Sequence, residues 1–205
     1  MNARTLNWCF MTLLAMGVAG YAASVALIPA NRSPVVLSLI GHSPVAAFMH
    51  FGGGAIALAV GTLQFSARLR SRMVSVHRWL GRIYVASIIA SGASGFVLAV
   101  NSSGGPWARW GFALLALGWL ATTLNGYRLI RQRQIAGHRA WMIRSYALTL
   151  AAVTLRCYLP LAQFMEWPMS TAYPAIAWLC WIPNLIVAEL LIRARTGFRT
   201  QVATA

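Results

Sequence analysis

Four histidines in a chain that is poor in titratable side chains are the first candidates for chemistry. His77 and His138 each precede an arginine in two similar arginine-rich stretches, whereas His50 lies within an apolar run and His42 lies just before that run. Imidazole nitrogens are common ligands of haem iron. Two imidazoles at one membrane depth therefore predict a bis-histidine haem b site with His77 and His138 as ligands.

The two arginine-rich stretches are similar to each other. Thr62–Arg78 and Thr123–Arg139 align without a gap at an offset of 61 residues, and six of the 17 aligned positions are identical, both histidines among them. This pattern predicts an internal repeat of two helical hairpins, at 44–100 and 105–161, related by an approximate two-fold axis along the membrane normal.

Some residues around the paired histidines favour a haem site, and others argue against it. Gly81 follows His77 at i+4 and leaves room for a porphyrin, whereas Met142 fills the same position after His138. Four arginines are candidates to pair with propionates or another anion: Arg78, Arg82, Arg139 and Arg144. The alternative is that both histidines lie at the membrane interface and extend towards water with their neighbouring arginines.

A second polar site is predicted from an arginine inside an apolar segment. Arg156 lies twelve residues after Arg144, about 18 Å further along a helix, at the predicted depth of His50. Because a buried arginine needs an anionic or hydrogen-bonding partner, His50 and Arg156 are predicted to form an outer polar site. The candidate partners are Glu166, Tyr158, His50, or a bound anionic or quinone-like ligand.

Glu189, in the last apolar segment, is predicted to be the inner polar partner. It comes to the depth of His77, His138 and Arg144. Structural ion pairing and a ligand site both account for such a cluster.

The amino-acid composition indicates whether these residues belong to a soluble protein or to a membrane protein. Of the 205 residues, 59% are hydrophobic and 9% are charged, and the charged set is 17 Arg with two Glu, no Lys and no Asp, giving a net charge of +15. Soluble domains carry about 25% charged residues, and disordered basic tails lack apolar residues. The composition therefore excludes both, and it indicates a polytopic membrane protein with no nucleic-acid partner.

The apolar segments predict an all-α integral membrane protein that forms one transmembrane domain over residues 1–205. Unbroken apolar runs of about 20 residues predict helices rather than barrel strands, and helices two to five are expected to form a four-helix core. Six spans are predicted: Asn7–Leu27, Pro44–Phe65, Ile83–Val100, Trp110–Leu129, Trp141–Leu161 and Ala175–Ile192.

The arginines predict the orientation of these spans. Thirteen of the 17 fall on one side of a six-span arrangement, whereas Arg32 and Arg109 fall on the other, and Arg144 and Arg156 lie within the fifth span. The positive-inside rule therefore predicts that both termini are cytoplasmic. The first span is expected to be a retained helix, and a cleaved signal peptide is the alternative.

Two strings of the sequence carry a family resemblance. The string from His77 to Tyr84 (HRWLGRIY) and the string from His138 to Tyr146 (HRAWMIRSY), with Thr154-Leu-Arg156 after them, resemble a widespread bacterial family of predicted polytopic membrane proteins catalogued as a domain of unknown function. The likeness covers residues 44–165 and implies a protein of the bacterial inner membrane. More distantly, the histidine-bearing hairpins look like the four-helix cores of two-haem membrane cytochromes, an analogy of architecture.

Three hypotheses on function follow. The first is b-type haem or quinone-linked electron transfer, with the chain as a membrane oxidoreductase component and a quinone or redox protein as its partner. The second is a small transporter or ligand-binding protein without a cofactor, which would use the His50/Arg156 and Glu189/His138 clusters. The third is a structural or assembly subunit of a larger membrane complex.

Overall fold

The protein is all-helical in the computed structural model, which describes the backbone of residues 3–203 and the side chains of residues 5–194. The side chains of Arg4, Arg195 and Arg199, which belong to the predicted cytoplasmic set, lie outside the described residues. A short 3-10 helix, Pro29–Asn31, follows the first α-helix. The α-helices of the described chain are α1 (Ala3–Leu27), α2 (Pro34–His42), α3 (Pro44–Gln64), α4 (Ala67–Arg72), α5 (Val74–Val100), α6 (Gly105–Arg131), α7 (Ile135–Thr149), α8 (Ala151–Phe164), α9 (Met169–Leu179) and α10 (Ile182–Ala203).

Five segments of the described chain are long and apolar enough to cross a membrane. Two of them join consecutive helices, since α7 with α8 and α9 with α10 each form one continuous segment with a short interruption at its middle. The five segments are Thr5–Leu27, Pro44–Gln64, Val74–Val100, Ile135–Phe164 and Met169–Ala194. A polytopic helical membrane protein is therefore the architecture of this chain.

The sixth predicted span, Trp110–Leu129, lies within α6. This helix has 27 residues, but it is not among the five apolar segments. Its hydropathy is lowered by three tryptophans, two threonines and an asparagine, several of which face the interior of the bundle. The count of six spans therefore stays a prediction, although α6 packs lengthwise between α5 and α7.

Several helices begin earlier than their apolar runs do. Helix α5 begins at Val74, whereas its predicted span begins at Ile83. Helix α7 begins at Ile135, whereas its predicted span begins at Trp141. Arginine is a good helix former, so a drop in hydropathy at these stretches does not end the helix. As a result His77 and His138 are each the fourth residue of a helix.

The helix starts have local causes. The Ser33 and Ser66 hydroxyls accept hydrogen bonds from backbone amides in the first turns of α2 and α4, which is the usual role of an N-cap. Pro34 and Pro44 occupy first-turn positions where the missing N–H costs nothing. Gly105 at the start of α6 has a φ of 75°, a backbone conformation that side chains with a Cβ disfavour.

A ring of four helices forms the centre of the bundle. α5 packs between α3 and α6, and α7 packs against α6 and also contacts α3. This arrangement places α5 and α7 diagonally opposite each other. The outer helices cover the ring, α1 on α3 and α8, and α9 and α10 on α6 and α7. One core cluster joins the four central helices: Ala57, Tyr84, Ile88, Trp119, Tyr146 and Leu148.

Small residues set the close approach of α3 and α5. A Cβ at Gly53 would lie 2.9 Å from the Ser87 carbonyl oxygen, and a Cβ at Gly95 would lie 2.8 Å from Nδ1 of His50. Small residues commonly allow such contact between membrane helices. This close contact between α3 and α5 therefore fixes the position of His50 against α5.

The helix starts also match the offset of the predicted repeat. α3 begins at Pro44 and α6 at Gly105, and α5 begins at Val74 and α7 at Ile135, so each pair is 61 residues apart. The second hairpin differs from the first in two places, since α6 continues into the region equivalent to α4, and α7 is interrupted at Leu150. The repeat itself stays a prediction.

Candidate functional site

His77 and His138 lie on helix faces that meet inside the bundle. Tyr84 and Ser145 follow the two histidines by seven residues each, and their side-chain oxygens are 3.0 Å apart. Residues seven apart share one face of a helix, so both histidines lie on the faces of α5 and α7 that this hydrogen bond joins. His77 also lies within electrostatic range of His138. The structure therefore brings the two predicted ligands to the same end of the bundle.

The two imidazoles have different partners. Nδ1 of His138 is 2.8 Å from the Gly126 carbonyl oxygen on α6. Because a carbonyl oxygen can only accept, Nδ1 carries the proton in this contact, and Nε2 has the free lone pair. Nδ1 of His77 is buried and has no hydrogen-bond partner among the described residues. One ring is thus oriented by the protein, and the other has an unused polar atom in the interior.

A third polar side chain, Gln64, completes what we call the histidine site, which consists of His77, His138 and Gln64. The Gln64 Oε1 atom lies 3.6 Å from the position that a Cβ would take at Gly81, one turn after His77. Its Nε2 atom is buried and also lacks a partner among the described residues. Such atoms are rare in folded proteins and require an explanation. One such atom therefore belongs to His77, and the other belongs to a residue whose side chain reaches α5 one turn further on.

A fully hydrogen-bonded layer of polar side chains lies beneath the histidine site. Tyr84 contacts the Thr149 hydroxyl at 2.9 Å as well as Ser145, and the Ser145 hydroxyl contacts that of Thr123 at 2.7 Å. The Trp119 indole N–H donates to the Thr149 hydroxyl at 2.9 Å. All five side chains are buried. We call this set the hydroxyl layer, and it lies about two helical turns further along α5 and α7 than the histidine site, towards the centre of the bundle.

The four arginines that were predicted to pair with an anion lie in three environments. Arg78 and Arg139 are exposed, and Arg78 is within electrostatic range of His77. The exposed Arg82 guanidinium stacks 4.9 Å from the centre of the Trp79 ring. Arg144 is half-buried and is committed to Glu189. Arg78 and Arg139 are thus the two whose positions leave them open to a ligand of the histidine site.

Glu189 on α10 forms a two-point ion pair with Arg144 on α7. Nε of the guanidinium donates to Oε1, and Nη2 donates to Oε2 at 2.9 Å. The same guanidinium lies 4.7 Å from the centre of the Trp141 ring. This fork-to-fork geometry is the strongest form of an arginine–carboxylate contact. It fastens the last span to the four-helix ring.

His50 lies near the opposite end of the bundle, which we call the His50 end. Its Nδ1 atom is 2.9 Å from the Ser91 carbonyl oxygen, and the Ser91 hydroxyl donates to the His50 carbonyl oxygen at 2.8 Å. Arg156 on α8 is within electrostatic range of His50. Its Nη1 atom donates to the Ala152 carbonyl oxygen at 3.1 Å, and its guanidinium lies 5.0 Å from the centre of the Tyr21 ring.

Within the described part of the chain, neither Tyr158 nor Glu166 forms a hydrogen bond or ion pair with Arg156. Glu166 is an exposed residue with a φ of 56° after the end of α8. The Tyr21 ring, which the sequence did not identify, is the aromatic partner instead. Across the described residues, no group of three or more His, Cys, Asp or Glu side chains is placed to hold a metal ion.

The sequence motifs contained part of the hydroxyl layer without revealing it. Tyr84 ends the first motif string and Ser145 is the next-to-last residue of the second, and they are 61 residues apart, the same offset that relates His77 to His138. Applying the repeat offset to Tyr84 would have identified Ser145. The contribution of Trp119 depends on how α6 is rotated, and no spacing in the sequence fixes that rotation.

Comparison with known proteins gives one family. The family described as Predicted membrane protein (DUF2306) matches residues 47–192, and thus reaches beyond the 44–165 region that carries the motifs to include the last span. Comparison with the curated proteins and with the solved structures gave no match. The matched region contains His77, His138 and the whole hydroxyl layer. This chain therefore belongs to the DUF2306 family of predicted membrane proteins.

Proposed function

We propose that this protein is a membrane electron-transfer component that holds one b-type haem between His77 and His138. The observation that carries the proposal is the state of the two imidazoles. His138 is oriented through Nδ1 by the Gly126 carbonyl, which leaves Nε2 for a metal, and Nδ1 of His77 is buried without a partner among the described residues. A hydrogen bond from Nδ1 to a backbone carbonyl is the usual support of a metal-bound histidine.

The chemical types of the residues around the pair support a haem. The two helices are diagonal in the ring, so that His77 and His138 would hold the haem from two different helices. Arg78 and Arg139, exposed beside the histidines, are suited to propionates. Gln64 occupies the space next to Gly81 and would have to turn away. When bound, haem would supply one-electron redox chemistry.

A second candidate ligand at the same site is a quinone headgroup. The specific observation in its favour is that Nε2 of Gln64 is an unused buried donor close to the helix turn that follows His77. Quinone carbonyls accept hydrogen bonds, and an amide N–H and an imidazole N–H would satisfy them. This ligand would link the protein to the membrane quinone pool without a metal.

The proposed orientation follows from charge. We place the histidine site at the cytoplasmic side of the bacterial inner membrane, because 13 of the 17 arginines flank that end in a six-span arrangement. Six spans would return both termini to the cytoplasm. In this orientation the hydroxyl layer lies between the site and the membrane centre.

The test is a dithionite-reduced minus air-oxidised absorption spectrum of the detergent-purified protein, expressed with added haem precursor. We expect a sharp reduced α-band and about one haem per chain. His77→Ala and His138→Ala should each remove the band. The matched control is His42→Ala, since His42 is exposed on α2 with Nδ1 on the Ser38 carbonyl, and this variant should keep the band.

Three outcomes would separate the candidates. A monodisperse, colourless wild-type protein would rule out haem. If such a protein binds a short-chain ubiquinone analogue, and Gln64→Leu and His77→Ala weaken that binding, the quinone candidate holds. A band that survives in both histidine variants would show that haem binds elsewhere and would overturn the assignment of ligands.

A further inference from the structure

Three arginines of the described residues, Arg32, Arg144 and Arg156, are half-buried. They differ in what the Nε–Nη2 edge of the guanidinium contacts. This edge carries two parallel N–H groups and is the one that matches a carboxylate or phosphate. In Arg144 the edge is filled by the Glu189 carboxylate. In Arg32 it is filled by the carbonyl oxygens of Val25 and Ala26, each at 3.1 Å.

Arg156 differs from the other two arginines at this edge. The hydrogen bond that the structure gives it uses the other terminal nitrogen, Nη1, on the Ala152 carbonyl oxygen. Nε is buried and has no partner among the described residues. A charged donor left without an acceptor inside a membrane protein is costly. The Nε end of the edge that recognises oxyanions is therefore buried, and no acceptor from the described part of the chain reaches it.

The surroundings of Arg156 define where a ligand would enter. The Tyr21 ring of α1 covers one face of its guanidinium. Because Tyr21 is itself 43% exposed, this ring is what separates the guanidinium from the outside of the bundle. His50 of α3 lies within electrostatic range on the interior side. Its Nδ1 is taken by Ser91, which leaves Nε2 as the ring nitrogen available to a ligand.

The carboxylates of the described chain do not supply the missing acceptor. Glu189 is committed to Arg144 on α7, and Glu166 is exposed beyond the end of α8. The most abundant oxyanions around a membrane protein are phosphates, either in lipid headgroups or in free solution. The described residues therefore supply no acceptor for Nε of Arg156.

We propose that Arg156, with Tyr21 and His50, forms a phosphate-binding site at the His50 end of the bundle. The phosphate accepts hydrogen bonds from Nε and Nη2 of Arg156 as a two-point contact. This site lies 18 residues along α7 and α8 from His138, about 27 Å, and it is therefore separate from the histidine site. The bound phosphate is either the phosphodiester of a membrane lipid or inorganic phosphate.

The experiment compares Arg156→Lys with Arg32→Lys in the detergent-purified full chain. Lysine keeps the positive charge and loses the fork. Native mass spectrometry would measure retention of added phosphatidylglycerol, and isothermal calorimetry would measure binding of inorganic phosphate at constant ionic strength. We expect Arg156→Lys to lower binding about tenfold, and Arg32→Lys to leave it unchanged, since the Arg32 edge already contacts this chain's carbonyls.

The results distinguish the two sources. An Arg156-dependent effect on phosphatidylglycerol alone identifies the lipid, and an Arg156-dependent effect on inorganic phosphate identifies the free anion. Equal binding of both probes by wild type and Arg156→Lys would overturn the proposal. If Arg156→Lys does not fold, the wild type is tested with phosphatidylglycerol, with diacylglycerol of the same chains and with inorganic phosphate. Equal retention of the two lipids together with no binding of inorganic phosphate would overturn the proposal.

Discussion

The side-chain oxygens of Tyr84 and Ser145 lie 3.0 Å apart in the centre of the bundle, where they join the diagonal helices α5 and α7. Each residue stands seven positions after one of the paired histidines. This contact sets the separation of the two helices just beneath the histidine site. A change in it should affect both the stability of the bundle and the geometry of the site above.

Tyr84→Phe is expected to destabilise the protein. The variant keeps the ring and removes an oxygen that contacts both Ser145 and Thr149, so we expect a loss of about 0.6–2 kcal/mol in the free energy of unfolding. Reversible unfolding in mixed detergent micelles would measure it. Tyr127→Phe is the control, since Tyr127 is exposed on α6 and should change little. Equal effects of the two substitutions would contradict the role of the hydroxyl layer.

Gly61→Ala should disturb the same region by overpacking. A Cβ at Gly61 would collide with the Tyr146 ring and lie 2.9 Å from the Tyr84 ring, which predicts a cost of about 1–3 kcal/mol. Gly52→Ala, earlier on the same helix, meets nothing within 4 Å and serves as the control. Thermal denaturation followed by circular dichroism would compare them. A Gly61→Ala protein as stable as Gly52→Ala would show that the two tyrosines move aside freely.

The Arg144–Glu189 pair should contribute measurably to stability. The side chains are 21% and 34% exposed, so water screens part of the attraction, and we expect a coupling of about 1 kcal/mol in a double-mutant cycle with Arg144→Gln and Glu189→Gln. Glu166→Gln, which alters an exposed residue, is the control and should have no coupling to Arg144. A coupling near zero in the Arg144–Glu189 cycle would mean that Trp141 alone holds the guanidinium.

Crossing of the membrane by α6 can be tested directly. In a cysteine-free background, Ser103→Cys and Gln132→Cys flank this helix and should be labelled by an impermeant maleimide from opposite sides of the membrane. Six spans also place both termini on one side, whereas five place them on opposite sides. Labelling of the two introduced thiols from the same side would reject the sixth span.

The sequence by itself determined that the protein lies in a membrane and that it is built from helices. Long apolar runs with 17 arginines and two carboxylates allow only a polytopic helical membrane protein, and the motif strings around His77 and His138 pointed to the family that the comparison identified. The repeat offset placed the histidines at equivalent positions on two helices. These are properties of periodicity, composition and local spacing, which the order of residues expresses directly.

Only the tertiary structure decided which polar groups are satisfied. Arg144 and Arg156 are both arginines in one apolar segment, but the packing of α10 brings a carboxylate to Arg144, and the packing of α1 brings only an aromatic ring to Arg156. The hydroxyl layer likewise depends on how α5, α6 and α7 are rotated about their axes. Helix rotation is set by the sum of many small contacts between helices, and no single residue spacing specifies it.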